Sequence, residues 1–250
     1  MKIAYAGFDL MYSAMESLSE HNKIMKLFTC AVDGVYETND KVIALADRLG
    51  APHTTDRISQ SDIDALIRDG CELLVSAGYY YLIPVDGRLP MVNIHPSLLP
   101  YGRGAWPMPL AILDRLPESG VTVHKTEVGF DTGDILLQRS FKLAEDETLD
   151  SFMDKVNAYL PDMMGKLTAD LDSLWNNARP QGEGEYQTQP DPEDYVLSAE
   201  DTVKYADRVL RAFYGFPCYY RDENGMHTLL RCRAYHGGGE GYPLKDGYIK

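Results

Sequence analysis

The chain has 250 residues, 44% of them apolar and 25% charged, which are the proportions of a globular protein and not of a disordered or fibrous one. Lys and Arg number 24 against 38 Asp and Glu, a net charge of −14, so the surrounding field repels polyanions and disfavours nucleic acid as the main ligand. The four cysteines, Cys30, Cys71, Cys218 and Cys232, form no C-x-x-C pair and read as reduced core thiols of a cytoplasmic protein. No apolar run reaches the roughly 18 residues of a membrane helix, and Met1 to Phe8 lacks the apolar core of a signal peptide.

Residues 2 to 7 form a short apolar run, and Leu10, Met11, Ala14, Met15 and Leu18 then follow at helical spacing, which predicts strand, turn and helix. A second apolar run, Met25 to Val32, precedes a helix capped near Asn39 and stopped by Gly50. Ser61 with Asp64 is expected to open a third helix, and Glu72 to Ala77 and Met91 to His95 read as buried strands. Strands alternating with helices imply parallel pairing, so the fold class expected is α/β, an open, doubly wound and mostly parallel sheet. Ala6-Gly7-Phe8-Asp9 lacks the G-x-G-x-x-G turn of a dinucleotide site.

Val121 to Val128 and Ile135 to Leu143 are expected as two further strands around a turn at Asp131-Thr132-Gly133. A long helix from about Asp150 carries Phe152 to Leu174 on its apolar face, with a kink expected at Pro161. The stretch rich in Gly, Glu, Gln and Pro from residue 179 to 193 reads as a linker, which divides the chain into a catalytic domain (1–178) and a small α+β C-terminal module (194–250). Within that module, Ser198 with Asp201 is expected to cap a helix bearing Val203, Ala206, Val209, Leu210 and Phe213.

Asn93 and His95 stand two apart at the end of a predicted strand, so both side chains leave the same face and can address one atom. Pro96 to Gly104 is too rich in Pro and Gly to be the interior of an element, and its Arg103 can hold an anion. Phe130-Asp131-Thr132-Gly133 places a carboxylate on a tight turn from which it can reach an imidazole. At Asn93-Ile94-His95-Pro96-Ser97-Leu98-Leu99-Pro100, with Asp131-Thr132-Gly133 beginning 36 positions after His95, the chain resembles the folate-dependent formyltransferase family, including its sugar N-formyltransferases and methionyl-tRNA formyltransferases.

The resemblance implies a Rossmann-like catalytic domain, 10-formyltetrahydrofolate as formyl donor, no metal, and Asn93, His95 and Asp131 as catalytic residues. Acyl transfer to an amine needs donors for an oxyanion and a base for the nitrogen's proton. The expected roles are Asn93 and a protonated His95 as donors, with Asp131 raising the His95 pKa and taking the proton. Tyr79, Tyr80, Leu82, Ile83, Val128, Gly129 and Phe130 fall where the family holds the pterin. Ser97, Tyr101, Arg103 and Trp106 fall on the acceptor loop, and His124 supports the catalytic three. The other histidines, His21, His53, His227 and His236, make no cluster with metal-ligand spacing. The expected partner is a small-molecule amine, a nucleotide-linked amino sugar in first place, with a homodimer as the assembly considered and no membrane partner. The alternatives are a methionyl-tRNA formyltransferase-like enzyme and a formyltetrahydrofolate hydrolase.

Overall fold

A computed structural model describes residues 1–34 and 36–250 and divides them into two compact units. The first comprises Met1–Arg103, Gly120–Phe141 and Met153–Glu185. Its elements are β1 (Lys2–Gly7), α1 (Tyr12–His21), β2 (Lys23–Phe28), α2 (Asp40–Leu49), β3 (His53–Thr54), α3 (Gln60–Arg68), β4 (Leu73–Ala77) and β5 (Met91–His95), with the short strand β6 (Arg103–Gly104) closing the segment. Strands β1 to β5 with β7 (Glu118–Lys125) and β8 (Ile135–Lys142) form a seven-stranded sheet in the order β3-β2-β1-β4-β5-β7-β8. Strands β1 to β5 pair in parallel, while β7 runs antiparallel to β5. The expectation of an open, mostly parallel α/β sheet is met.

Burial explains the order. All five residues of β4 and five of six in β1 are buried, because helices cover both faces of a parallel sheet. Each fully buried aliphatic chain there contributes about 1.5–3 kcal/mol over its exposed state. The second strand ends at Phe28, four residues before the apolar run does. Gly50 terminates α2 in the left-handed region at φ 67°, as its position predicts. The cap of α3 is Ser59 with Asp62, and not Ser61 with Asp64. Both pairs have capping-box spacing, but only Ser59 places Ile58 and Ile63 at the two positions of a hydrophobic staple, and both are buried.

Helix α5 (Leu149–Ala169) contains Pro161, and α6 (Leu171–Asn176) follows as a separate short helix, so Leu171 and Leu174 do not extend the face of α5. Pro161 has no N–H for the carbonyl of Asn157. Ser13 Oγ on α1 donates to that oxygen instead at 3.0 Å, while its contact with Asn157 Oδ1 is 2.7 Å.

The second unit comprises Gly104–Ser119, Lys142–Phe152 and Tyr186–Lys250. It holds α4 (Pro107–Leu113), the short strand β9 (Tyr186–Gln187), a 3-10 turn at Pro192–Tyr195, α7 (Val203–Ala212), the hairpin β10 (Cys218–Asp222) with β11 (Gly225–Leu229), and β12 (Ala234–His236), β13 (Tyr242–Leu244) and β14 (Gly247–Ile249) as a three-stranded sheet. The cap of α7 is Thr202, whose Oγ accepts from Tyr205 N–H, and Asp201 instead closes the preceding turn by accepting from Ser198. Val203, Ala206, Val209 and Leu210 pack with Tyr220 and Ile249 into this unit's own core.

Candidate active site

Strand β5 presents Asn93 and His95 on one face, and the register sets Ser76 of β4 beside Asn93 on one side and His124 of β7 on the other. Ser76 Oγ donates to Asn93 Oδ1 at 2.5 Å, which sets the amide oxygen toward β4 and the amide nitrogen away from it. Its Nδ2 then points at His124 Nε2 (3.1 Å) and Asp131 Oδ1 (3.2 Å). His124 Nδ1 lies 2.8 Å from the Lys125 carbonyl, which can only accept, so Nδ1 carries a proton, while Nε2 faces both Asn93 Nδ2 and, at 3.4 Å, Asp131 Oδ1.

His95 is buried. Its Nε2 lies 2.6 Å from the Gly102 carbonyl and is the protonated nitrogen by the same reasoning, and its Nδ1 faces Asp131 Oδ1 at 3.6 Å. Burial is the dominant influence and pushes the imidazole pKa down, while the Asp131 charge and the Gly102 bond push it up and His124 pushes it down again. The net direction is downward, which corrects the expectation that Asp131 holds His95 protonated. Removing a charge from water outweighs one carboxylate that is not in hydrogen-bonding contact.

Asp131 has φ 52°, in the left-handed region that Asp tolerates better than most residues. Gly133 has to be glycine, because a Cβ there would fall on the Lys125 carbonyl oxygen. Lys125 N–H donates to the Asp134 carbonyl at 2.9 Å, closing the base of the turn. Two polar residues that the sequence does not flag also enter: Ser76, which reads as one more residue of a buried strand, and Gln181, which lies in the stretch read as linker and donates to the Asp131 carbonyl at 2.9 Å. The pairing of Arg179 with Ile135 continues the main-chain ladder into that stretch.

The remaining expected residues divide. Ile83 is a core side chain, and the Tyr79 hydroxyl accepts from Ile58 N–H at 3.0 Å. Tyr80 is exposed and sets its ring 5.1 Å from that of Phe8. Leu82, Val128 and Phe130 are exposed, Val128 to 86%, and the carbonyl of Gly129 accepts from Thr132 Oγ1 at 3.2 Å. Ser97 Oγ donates to the Tyr101 carbonyl at 2.7 Å, so it shapes the loop, and Tyr101 itself points to solvent. Arg103, expected as the cation that holds an anionic acceptor, is only 8% exposed and donates to Gln181 and the Gly182 carbonyl. Trp106 belongs to the second unit, edge-on to Phe216 with ring centres 4.7 Å apart.

A family model described as formyl transferase matches residues 30–166, more than half of the chain. The methionyl-tRNA formyltransferase of Ehrlichia ruminantium (strain Gardel) is 31% identical over 190 residues, which are 74% of this chain and 60% of that protein. The match spans about 60% of the length of such curated relatives. A sugar N-formyltransferase from a Shewanella species has a TM-score of 0.71 at 21% identity, covering 92% of this chain and 96% of that one. The N-formyltransferase of Helicobacter canadensis, solved with folinic acid and dTDP-3-aminofucose, has a TM-score of 0.69 at 17% identity, covering 100% and 98%. At these identities the two solved structures establish the fold.

Proposed function

The chain belongs to the formyl transferase family, and from that premise we propose that it moves a formyl group from 10-formyltetrahydrofolate to a primary amine at Asn93, His95 and Asp131. The observation that carries this reading is the convergence of an amide, a buried imidazole and a carboxylate: Asn93 Nδ2 lies 3.2 Å and His95 Nδ1 3.6 Å from the same oxygen of Asp131. The exposed apolar side chains of Leu82, Val128 and Phe130 fit the flat ring of such a donor.

A formyltetrahydrofolate held there would supply a formyl carbonyl, and attack by the amine on its carbon would gather negative charge on oxygen. Asn93 Nδ2 donates to that oxygen, exchanging its contact with His124 or Asp131 for the new one. His95 is neutral with its Nε2–H committed to Gly102, so Nδ1 is the atom that takes the proton from the attacking nitrogen. Asp131 stabilises the imidazolium so formed. His95 Nδ1–H then gives that proton to the departing nitrogen, and the protein ends in the state from which it began.

As acceptor we favour an amino group on a nucleotide-linked sugar. Two points support it: the net charge of −14, which opposes a tRNA, and the fold shared with the Helicobacter canadensis protein that was solved with a dTDP-linked amino sugar. The 31% identity to a methionyl-tRNA formyltransferase keeps that acceptor as the second reading. The deciding experiment supplies 10-formyltetrahydrofolate with dTDP-linked amino sugars, with methionyl-tRNA, or with no amine, and follows tetrahydrofolate. Turnover with the sugar nucleotides is expected. Turnover with methionyl-tRNA alone would move the acceptor to tRNA, and formate release at full rate without an amine would make the protein a hydrolase.

A further inference from the structure

The side-chain amide of Gln181 is used at both ends. Its Nε2 donates to the carbonyls of Asp131 (2.9 Å) and Gly133 (2.5 Å), the backbone of the turn that carries the catalytic carboxylate. Its Oε1 accepts from Arg103 Nε (3.1 Å) and Nη2 (2.9 Å), and Nη2 also donates to the Gly182 carbonyl at 3.0 Å. Arg103 directly follows Gly102, whose carbonyl holds His95 Nε2 at 2.6 Å. Hydrogen bonds and chain connectivity thus run from His95 to Gly102, on to Arg103 and across Gln181 to the Asp131 turn, and the Asp131 carboxylate faces His95 again at 3.6 Å.

On the formyl-transfer reading above, we propose that Gln181 is a positioning residue that sets the Asp131 carboxylate against His95, with Arg103 holding Gln181 in place. The turn needs such a tie. Glu127 to Phe130 are exposed and Asp131 is held at a positive φ, so hydrogen bonds carry much of the turn's order. Only an amide serves, because the turn offers two acceptors and Arg103 offers donors alone. Gln181 is itself anchored, since Arg179 exchanges both backbone hydrogen bonds with Ile135 at 2.8 and 2.9 Å. Displacing a catalytic group by about 1 Å is enough to cost up to a hundredfold in rate, so a residue that touches no substrate still governs kcat.

The test compares Gln181→Ala and Gln181→Glu in the full chain. Gln181→Glu keeps and strengthens the grip on Arg103 but turns a carboxylate oxygen toward two carbonyls. Both variants should therefore lose about tenfold or more in kcat, with KM for donor and acceptor within about threefold of the parent. Amide hydrogen exchange of residues 126–134 should quicken in both, while the melting transition stays cooperative. Parental kcat in Gln181→Glu alone would show that Gln181 merely staples its own segment through Arg103. Parental kcat in both variants, or unchanged exchange in the turn, would equally overturn the proposal. If the unaltered chain transfers no formyl group, the functional reading fails, and the exchange of the turn still decides for or against the tie.

Discussion

His95 Nδ1 and Asp131 Oδ1 stand 3.6 Å apart, beyond hydrogen-bonding distance yet close enough for the carboxylate charge to act on the ring. A relaxed pair of this kind suits a base that starts neutral and becomes charged during the reaction.

Asp131→Asn should therefore lower kcat by about a hundredfold while leaving the fold intact, because Asn accepts a φ of 52° as readily as Asp and only the charge is removed. Ala at Asn93 or His95 should cost a similar factor, and on the proposed mechanism, in which they act as one unit, the double variant should cost less than the product of the singles. Steady-state kinetics on the set checks this, and a His95→Ala enzyme with most of its rate would remove the imidazole from the mechanism.

The depressed pKa of His95 fixes the sign of two pH effects. On the proposed mechanism the neutral base persists below the ordinary imidazole value of 6.5 in the free protein, so the acid limb of kcat/KM should fall below that value rather than at it. Stability moves the same way. The unfolded chain binds a proton on His95 more readily than the folded one, so this contribution is complete above about 6.5 and is lost as pH falls toward the lower folded value. Melting of the parent and of His95→Asn should diverge over that window, with the parent losing more.

Gly133→Ala places a methyl group on the Lys125 carbonyl and must move the Asp131 turn. Overpacking of this kind costs about 1–3 kcal/mol. A fall in kcat exceeding any change in either KM is expected together with a lower melting temperature, and a neutral variant would show that the turn adapts freely.

Formyl transfer by a donor amide, a neutral base and a carboxylate requires no divalent ion. Exhaustive dialysis against EDTA should leave the rate unchanged. A loss that zinc or magnesium restores would assign the imidazoles of His95 and His124 a different role.

The sequence by itself determined the parts of this protein that depend on near neighbours along the chain. The alternation of strand and helix, the shared face of Asn93 and His95 two residues apart, the stop at Gly50 and the turn at Asp131 all follow from backbone geometry that repeats every two or 3.6 residues. Capping was ambiguous where two Ser-x-x-Asp pairs overlap, because packing of Ile58 on Ile63 makes the choice. Ser76 and Gln181 carry no local signal: their partners are 17, 78 and 50 residues away, and only the sheet register and the return of the chain past β8 bring them together. The same holds for the charge state of His95. Its nearest carboxylate is legible in the sequence, but the burial that outweighs that carboxylate belongs to the folded chain alone.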